Sequence, residues 1–154
     1  MNLFRVLRVL SLVVWLGGII FFSFVVAPRV FQVLMPVTGG QHLAGDIVSA
    51  SLRNLHWMGF ASGVIFLFSA ATLHRTLAKP EILLVIVMLV ITAIAQFGIM
   101  PRMETVRSSP GYETSAEFAR LHKLSVFADG GVLLLGLCAV WAIAGARSNR
   151  PYRS

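Results

Sequence analysis

The chain has 154 residues, of which 57% are hydrophobic and 12% are charged. Because soluble domains carry roughly 25% charged residues, this chain has too few polar side chains to cover a globular surface in water. Its formal net charge is +7, but the basic residues do not form a cluster with interleaved aromatic residues, as a nucleic-acid-binding surface would. Contact of the basic residues with lipid headgroups explains the charge. The composition therefore excludes an ordinary soluble domain and a nucleic-acid partner. It predicts an integral membrane protein in contact with membrane lipids.

Four long windows contain no Asp, Glu, Lys or Arg, except for Asp129 in the last of them. Each window has about 20 residues or more, the length that crosses roughly 30 Å of hydrocarbon as a helix. A soluble four-helix protein would show polar faces in these windows, and such faces are nearly absent. We therefore predict an all-α fold, a polytopic membrane protein formed by a single four-transmembrane-helix bundle. The predicted spans are residues 8–28, 46–73, 81–101 and 115–146.

The first window begins after Arg5 and Arg8, as a secretory signal would. Its apolar run is longer than a typical signal core, however, and it ends at Pro28-Arg29 without a small-x-small cleavage site. We interpret it as a retained span. The single cysteine, Cys138, lies within the fourth span and can form no intramolecular disulfide.

Four spans place both termini on one side of the membrane, which we call the terminus side; the opposite side is the far side. Basic residues are nearly balanced, with seven on the terminus side and six on the far side. Charges in short flanks next to a span orient it, so we place the termini inside and expect a bacterial inner-membrane protein with both termini cytoplasmic. The terminus-side residues are Arg5, Arg8, Arg75, Lys79, Arg147, Arg150 and Arg153, and the far-side residues are Arg29, Arg53, Arg102, Arg107, Arg120 and Lys123.

Two far-side connections link the spans. Pro36 and the Gly39-Gly40 pair are expected to stop the first helix and turn the chain. In the second connection, Pro101 is expected to break the third helix, and Thr114-x-x-Glu117 has the pattern of a capping box that starts the fourth. The second and fourth helices are therefore expected to protrude on the far side by roughly one to three turns.

The segment "FARLHKLSVFADGG" carries an acid and an imidazole into the fourth span. His122, Ser125 and Asp129 are spaced i, i+3 and i+7, so they share one face of a helix. An Asp in a span costs about 2.5–3.5 kcal/mol on insertion scales and normally faces the bundle interior. We therefore expect polar groups of other helices beside it. The candidate ligand-binding residues are Arg53, His56, Arg102, Glu104, His122, Ser125 and Asp129.

Several of these residues also have a purely structural interpretation. Asp129 paired with Arg53 or Arg102 would fix the register of the helices. Arg102 could instead extend its guanidinium into the lipid headgroups. His122 could pack at the interface while hydrogen-bonding Ser125.

Two histidines on different helices raise the question of a cofactor. His56 and His122 are candidate axial ligands of haem b, or candidate ligands of a transition metal together with Met100 or Met103. The sequence contains no His-x-x-x-His or Cys-x-x-Cys spacing that would support a metal site. The cofactor is therefore left unidentified.

Four stretches carry a resemblance to a known family: "VVWLGGIIFFSFVVAPRVFQVL", "LHWMGFASG", "IMPRMETVR" and "FARLHKLSVFADGGVLLLGL". In this order they resemble the transmembrane protein 205-like family, also catalogued as domain-of-unknown-function family 4149, over nearly the whole chain. The more specific parts are Pro101-Arg102 and His122-x-x-Ser125, whereas Asp129 stands where Asn is expected. The family implies four membrane helices and, for its human namesake, an association with resistance to platinum drugs. More distantly, "VVWLGGIIFF" is similar to copper-resistance D-type membrane proteins and their haem-associated relatives.

Three classes of function fit these observations. The first is binding, and export, of a small molecule or metal ion at the far-side polar cluster, because ionisable residues within membranes mark substrate and proton pathways. Four helices are few for a transporter, so a homo-oligomer is expected with it. The second is a haem-binding or redox membrane protein that uses His56 and His122. The third is a non-catalytic membrane subunit or lipid-interacting assembly factor. A soluble-type enzyme fits least, since nucleophile-elbow, phosphate-loop and paired-carboxylate motifs are missing.

Overall fold

The computed structural model describes residues 3–73 and 80–148. Within these ranges it has four helices that are long and apolar enough to cross a membrane. The predicted all-α, four-helix membrane bundle is therefore confirmed. Outside the described ranges lie His74 and the predicted terminus-side charges Arg75, Lys79, Arg150 and Arg153.

We number the spanning helices α1 to α4. Helix α1 consists of Leu3–Phe21, a π-helical turn at Phe22–Val26 and the segment Ala27–Leu34. Helix α2 is Gly40–Leu73. Helix α3 consists of Pro80–Ile94, a π-helical turn at Ala95–Ile99 and the segment Met100–Arg107, and α4 is Ala116–Ser148.

Each π-helical turn ends two residues before a proline, Pro28 in α1 and Pro101 in α3. In α3 the Met100 N–H donates to the Ala95 carbonyl oxygen, five residues earlier, and Pro101 follows. Proline removes one backbone N–H and crowds the preceding turn, and a wider turn of the π type accommodates both effects without ending the helix. The predicted break at Pro101 is therefore wrong, since α3 continues to Arg107. Helix α1 likewise continues past Pro28.

The two far-side connections are short. Gly39 adopts a positive φ of 73°, which favours glycine, and α2 begins at the next residue, ahead of the predicted span. Gly111 has a φ of 74° in the second connection. The predicted cap of α4 is corrected by one residue: the Phe118 N–H donates to the Ser115 hydroxyl oxygen at 3.4 Å, whereas the Thr114 hydroxyl donates to the Gly111 carbonyl oxygen.

The interior of the bundle contains an apolar layer on the terminus side of its centre. Helix α1 packs on α2 and α3 packs on α4, and contacts of α2 with α3 and of α1 with α4 close the ring. Leu12, Trp15, Phe66, Val85 and Met88 fill the middle of this ring and are at most 2% exposed. Large apolar side chains cover the outer surface, as expected where helices meet acyl chains.

A buried ion pair lies at the terminus-side end of this layer. Arg8 Nη1 of α1 is 3.8 Å from Glu81 Oε1 of α3, and the two side chains are only 10% and 6% exposed. The Arg8 guanidinium also lies over the ring of Phe66, 5.9 Å from its centroid. Each of these buried charges offsets the cost of burying the other, because an unpaired ion at such a position would be strongly destabilising.

Candidate functional site

Three helices meet at the imidazole of His56. This residue lies near the middle of α2, and it is 3% exposed. Its Nδ1 is 2.9 Å from Oε1 of Gln96, which belongs to the π-helical turn of α3. Its Nε2 is 3.2 Å from Oδ1 of Asp129 on α4. One side chain therefore joins α2, α3 and α4 through hydrogen bonds at a single depth.

The chemistry of the two partners restricts the protonation of the ring. A carboxylate oxygen and an amide oxygen only accept hydrogen bonds, so both contacts of His56 are satisfied at once when each ring nitrogen carries a hydrogen. A neutral ring is satisfied when the amide of Gln96 turns over and presents its NH₂ group to the ring. The state of Gln96 and the proton on His56 are therefore linked.

This arrangement differs from the pairing considered for Asp129. The alternatives were Arg53 and Arg102, and both arginines are exposed while Asp129 pairs with His56. The side chain of Asp129 is 19% exposed, and the imidazole of His56 lies 3.2 Å from its carboxylate. Asp129 faces the bundle interior, which is where an acid in a span is expected.

The contacts of His56 also bear on haem and metal binding. Both ring nitrogens are occupied, so His56 would have to leave Asp129 or Gln96 before it could bind iron or another metal. His122 is exposed, and its ring stacks on Phe118 with a centroid separation of 6.3 Å. Among the described residues, no group of three His, Cys, Asp or Glu side chains is placed to hold a metal ion. These contacts give no support to a haem held between the two histidines, and that site stays a prediction.

Arg107 also joins several elements at the far-side end, although it is not among the residues that the sequence pattern indicated. Its side chain is 9% exposed at the far-side end of α3. Nη2 donates to the Ser49 hydroxyl oxygen at 2.6 Å, and Nη1 donates to the Gly45 carbonyl oxygen at 3.1 Å, so Arg107 ties α3 to α2. Its Nη1 is also 3.4 Å from Asp46 Oδ1 and 3.9 Å from Glu104 Oε2.

A large cavity opens beside Arg107 at the far-side end, and we call it the vestibule. Its volume is about 800 Å³. The wall carries two arginines, two acids and a histidine, and Gln96 lies in the same wall, where it also contacts His56. The vestibule is lined by His42, Asp46, Arg53, Gln96, Met100, Pro101, Glu104, Thr105, Arg107 and Ser108.

A smaller, mostly apolar cavity lies on the other side of Arg107, and we call it the inner cavity. Its volume is about 200 Å³, and Arg107 lines it as well as the vestibule. His122, Ser125 and Asp129 line it from α4, together with aromatic side chains such as Phe118. Ser125 is 4% exposed.

The candidate residues therefore divide between two cavities. Arg53 and Glu104 line the vestibule, whereas His122, Ser125 and Asp129 line the inner cavity. His56 connects the two sets through its hydrogen bonds to Gln96 and Asp129. Arg102 is exposed and lines neither cavity.

Gln96 and Arg107 are missing from the candidate residues, yet the sequence carries a signal for both, because they share a helix face with Met100 and Met103. Gln96, Met100, Met103 and Arg107 are spaced i, i+4, i+7 and i+11, which is one face of a helix. The expected break at Pro101 separated Arg107 from this face. A continuous α3 would have placed Arg107 on the same face as Gln96.

Comparison with known proteins gives a family and no function. The family described as a domain of unknown function (DUF4149) matches residues 10–109. This range contains His56, Gln96 and Arg107 and stops before Asp129. No curated protein and no solved structure matches the chain. The resemblances to transmembrane protein 205-like and copper-resistance D-type proteins stay predictions, and the chain belongs to the family of the domain of unknown function DUF4149.

Proposed function

We propose that this membrane protein binds a small zwitterionic molecule in the vestibule. The observation that carries the proposal is a cavity of about 800 Å³ whose wall presents both signs of charge and reaches Gln96. Such a size is typical of ligand sites, and eight of the ten lining residues are polar or charged, which favours a charged ligand.

The positive group best placed to take an anion is Arg53. It is exposed at the vestibule wall, and it makes no hydrogen bond or ion pair with the part of the chain that the structure describes. A guanidinium binds phosphate or carboxylate through paired, charge-assisted hydrogen bonds. Arg107 lies in the same wall, but its Nη atoms already donate to α2.

The negative groups favour an ammonium on the same ligand. Asp46 and Glu104 have side chains that are 62% and 56% exposed, and their contacts to Arg107 are 3.4 Å and 3.9 Å long. Arg107 is buried, but both carboxylates are open to solvent and their contacts to it are long, so both acids are accessible to a cation. The lining thus balances two arginines against two acids, which suits a zwitterion better than a simple anion.

A phosphoethanolamine group has the matching chemistry, and it can come from a soluble molecule or from a lipid headgroup. Met100 and Pro101 add apolar surface to the wall that either form could contact. A ligand that touches Gln96 would alter the orientation of its amide, and His56 and Asp129 would respond through their hydrogen bonds. This chain of hydrogen bonds between the two cavities favours export of the same ligand as a second candidate function.

Metal-ion binding and haem binding receive less support. The described residues provide no group of three metal-binding side chains, and both nitrogens of His56 are engaged. A role as a non-catalytic subunit or assembly factor, alone or in a homo-oligomer, is the outcome expected if the vestibule binds nothing.

Calorimetric titration of the detergent-purified protein tests the proposal with three soluble probes. These are glycerophosphoethanolamine, glycerol 3-phosphate and ethanolamine, which carry both charges, the anion alone and the cation alone. We expect the first probe to bind most tightly. Arg53→Gln and Glu104→Gln should each weaken its binding about tenfold or more, since hydrogen bonds to charged groups contribute roughly 1.5–3 kcal/mol.

Arg120→Gln is the matched control, because Arg120 is exposed on α4 and lines neither cavity. Nanodiscs of phosphatidylethanolamine or of phosphatidylglycerol, used in place of detergent, distinguish the sources of the ligand. If phosphatidylethanolamine nanodiscs weaken the binding of glycerophosphoethanolamine and phosphatidylglycerol nanodiscs do not, the ligand is a lipid headgroup. If none of the soluble probes binds and neither lipid changes the thermal stability, the proposed function is wrong.

A further inference from the structure

Both buried charge pairs join residues that are the same distance apart in the chain. His56 and Asp129 are separated by 73 positions, and so are Arg8 and Glu81. The first pair connects α2 with α4, and the second connects α1 with α3. In a ring of four helices these are the two diagonals, so each pair crosses the middle of the bundle.

The same shift of 73 positions relates other features of the two halves. The π-helical turn at Ala95–Ile99 lies 73 positions after the π-helical turn at Phe22–Val26. Likewise, Pro101-Arg102 lies 73 positions after Pro28-Arg29. Residues 3–73 and 80–148 therefore form two equivalent half-bundles, each with a π-containing helix followed by a long one.

Two close helix contacts obey this relation as well. A Cβ atom added to Gly63 would meet the side chain of Leu89, and one added to Gly136 would meet the side chain of Leu16. Gly136 and Leu89 are the equivalents of Gly63 and Leu16 after the 73-position shift. Both contacts join one half-bundle to the other, α2 with α3 and α4 with α1.

These relations define a pseudo-twofold axis. Equivalent helices run in the same direction, since α1 and α3 start on the terminus side and α2 and α4 start on the far side, so the axis is parallel to the membrane normal. A residue that contacts its own equivalent must lie on this axis. Arg8 with Glu81 and His56 with Asp129 therefore mark two points along it. Membrane transporters with parallel repeats have an axis of this kind.

The order of contacts along the axis suggests a movement. The glycine–leucine contacts lie about 10 Å from His56 and about 12 Å from Arg8, by the helical rise of 1.5 Å per residue. They are thus between the two charge pairs, and the apolar layer of Phe66, Val85 and Met88 lies at a similar depth. Small residues allow helices to slide against each other closely.

We propose that the two half-bundles rock about the glycine–leucine contacts, so that the bundle opens alternately at either end. Arg8–Glu81 is the gate on the terminus side, and His56–Asp129 is the gate beneath the vestibule. Each gate has one partner in each half-bundle, so parting the halves at one end breaks that pair and leaves the pair at the other end intact. On the far side, the hydrogen bonds of His56 to Gln96 and of Arg107 to Gly45 and Ser49 also join the two halves, so they must open together with the gate. This inference supplies a transport movement, and it stands whether or not the vestibule binds a zwitterion.

Cysteine accessibility in the detergent-purified full chain tests the movement without any ligand. Cys138 is exposed and is first replaced by serine. Leu12→Cys then reports on the terminus-side gate and Leu52→Cys on the far-side gate, because these side chains are 1% and 8% exposed. Labelling is measured as the rate of modification by a polyethylene-glycol maleimide. Met88→Cys, at 0% exposure, detects general unfolding.

Each gate is opened by a variant in the second half-bundle. With Glu81→Ala we expect labelling at position 12 to become on the order of tenfold faster, which corresponds to roughly 1.4 kcal/mol less closing free energy. The rate at position 52 should stay unchanged. With Asp129→Ala, labelling at position 52 should become on the order of tenfold faster, and the rate at position 12 should stay unchanged. If both reporters respond to either variant, or if position 88 is labelled, the pairs only hold the fold and the proposal is overturned.

A charge exchange tests the symmetry itself. Arg8→Glu alone places two acids on the axis and should open the terminus-side gate. Because the two positions are equivalent, Arg8→Glu combined with Glu81→Arg should restore slow labelling at position 12. If the double variant is labelled as fast as the single variant, the positions are not equivalent and no on-axis gate exists.

Discussion

Removal of the carboxylate of Asp129 is the sharpest test of the three-helix contact at His56. The variant Asp129→Ala deletes the acceptor that lies 3.2 Å from His56 Nε2. It leaves a ring nitrogen without a partner in a side chain that is 4% exposed. Asp129→Asn keeps an oxygen at the same position and should therefore cost much less.

The expected magnitude follows from three considerations. A buried donor left without a partner costs about 1–3 kcal/mol. Interhelical hydrogen bonds in membrane proteins contribute about 0.6 kcal/mol on average and up to about 1.7. The inner cavity of about 200 Å³ borders Asp129 and has room for water that could take over the donor. We therefore expect Asp129→Ala to lower the free energy of unfolding by about 1–2 kcal/mol.

Reversible unfolding of the purified protein by SDS in mixed micelles, followed by circular dichroism, measures this change. Lys123→Ala is the matched control, because Lys123 is exposed on the same helix and should change stability by less than about 0.5 kcal/mol. In a His56→Phe background the ring donor is absent, so Asp129→Ala should cost less than about 0.5 kcal/mol. Equal costs of Asp129→Ala in the two backgrounds would refute the assigned hydrogen bond.

Three further stability predictions use the same assay. Gly136→Ala should destabilise by roughly 1–3 kcal/mol, because the added Cβ overlaps the side chain of Leu16, and an unchanged stability would contradict the close packing. Ser69→Ala should be neutral or stabilising by up to about 1 kcal/mol, because the buried Ser69 hydroxyl has no hydrogen-bond partner among the described residues, so a clear loss would show a partner. Ser115→Ala should lower stability by about 0.5–1 kcal/mol because the N-cap of α4 is lost, whereas Thr114→Ala should have little effect. If Thr114→Ala is the more costly change, Thr114 is the N-cap, as the sequence pattern predicts.

Part of the candidate site could be predicted from the sequence because ionisable side chains are rare within membrane spans and normally face the interior of the bundle. An Asp and a His within apolar windows are costly unless they face inward, and His56 and Asp129 do so. Their partners could not be predicted, since composition does not state which helix faces meet. From the sequence, with a break expected at Pro101, Arg102 was as reasonable a partner for Asp129 as His56.

The two arginines of α3 illustrate the reason. Arg102 and Arg107 are five positions apart, which is about 140° around a helix of 3.6 residues per turn. A face that buries one of them must expose the other. If the helix ended at Pro101, the two arginines would not be related by helical geometry. Because the π-helical turn at Ala95–Ile99 accommodates Pro101, the helix continues and the two arginines point in different directions.

The sequence by itself determined that the chain is a four-helix membrane protein, because transfer into hydrocarbon depends on the local composition of each segment. It also determined that ionisable groups are buried within the spans. The tertiary structure alone decided that His56 contacts Gln96 and Asp129, that Arg107 lies between two cavities, and that Arg8 pairs with Glu81. Those features depend on contacts between residues far apart in the chain, and such contacts exist only once the helices have packed.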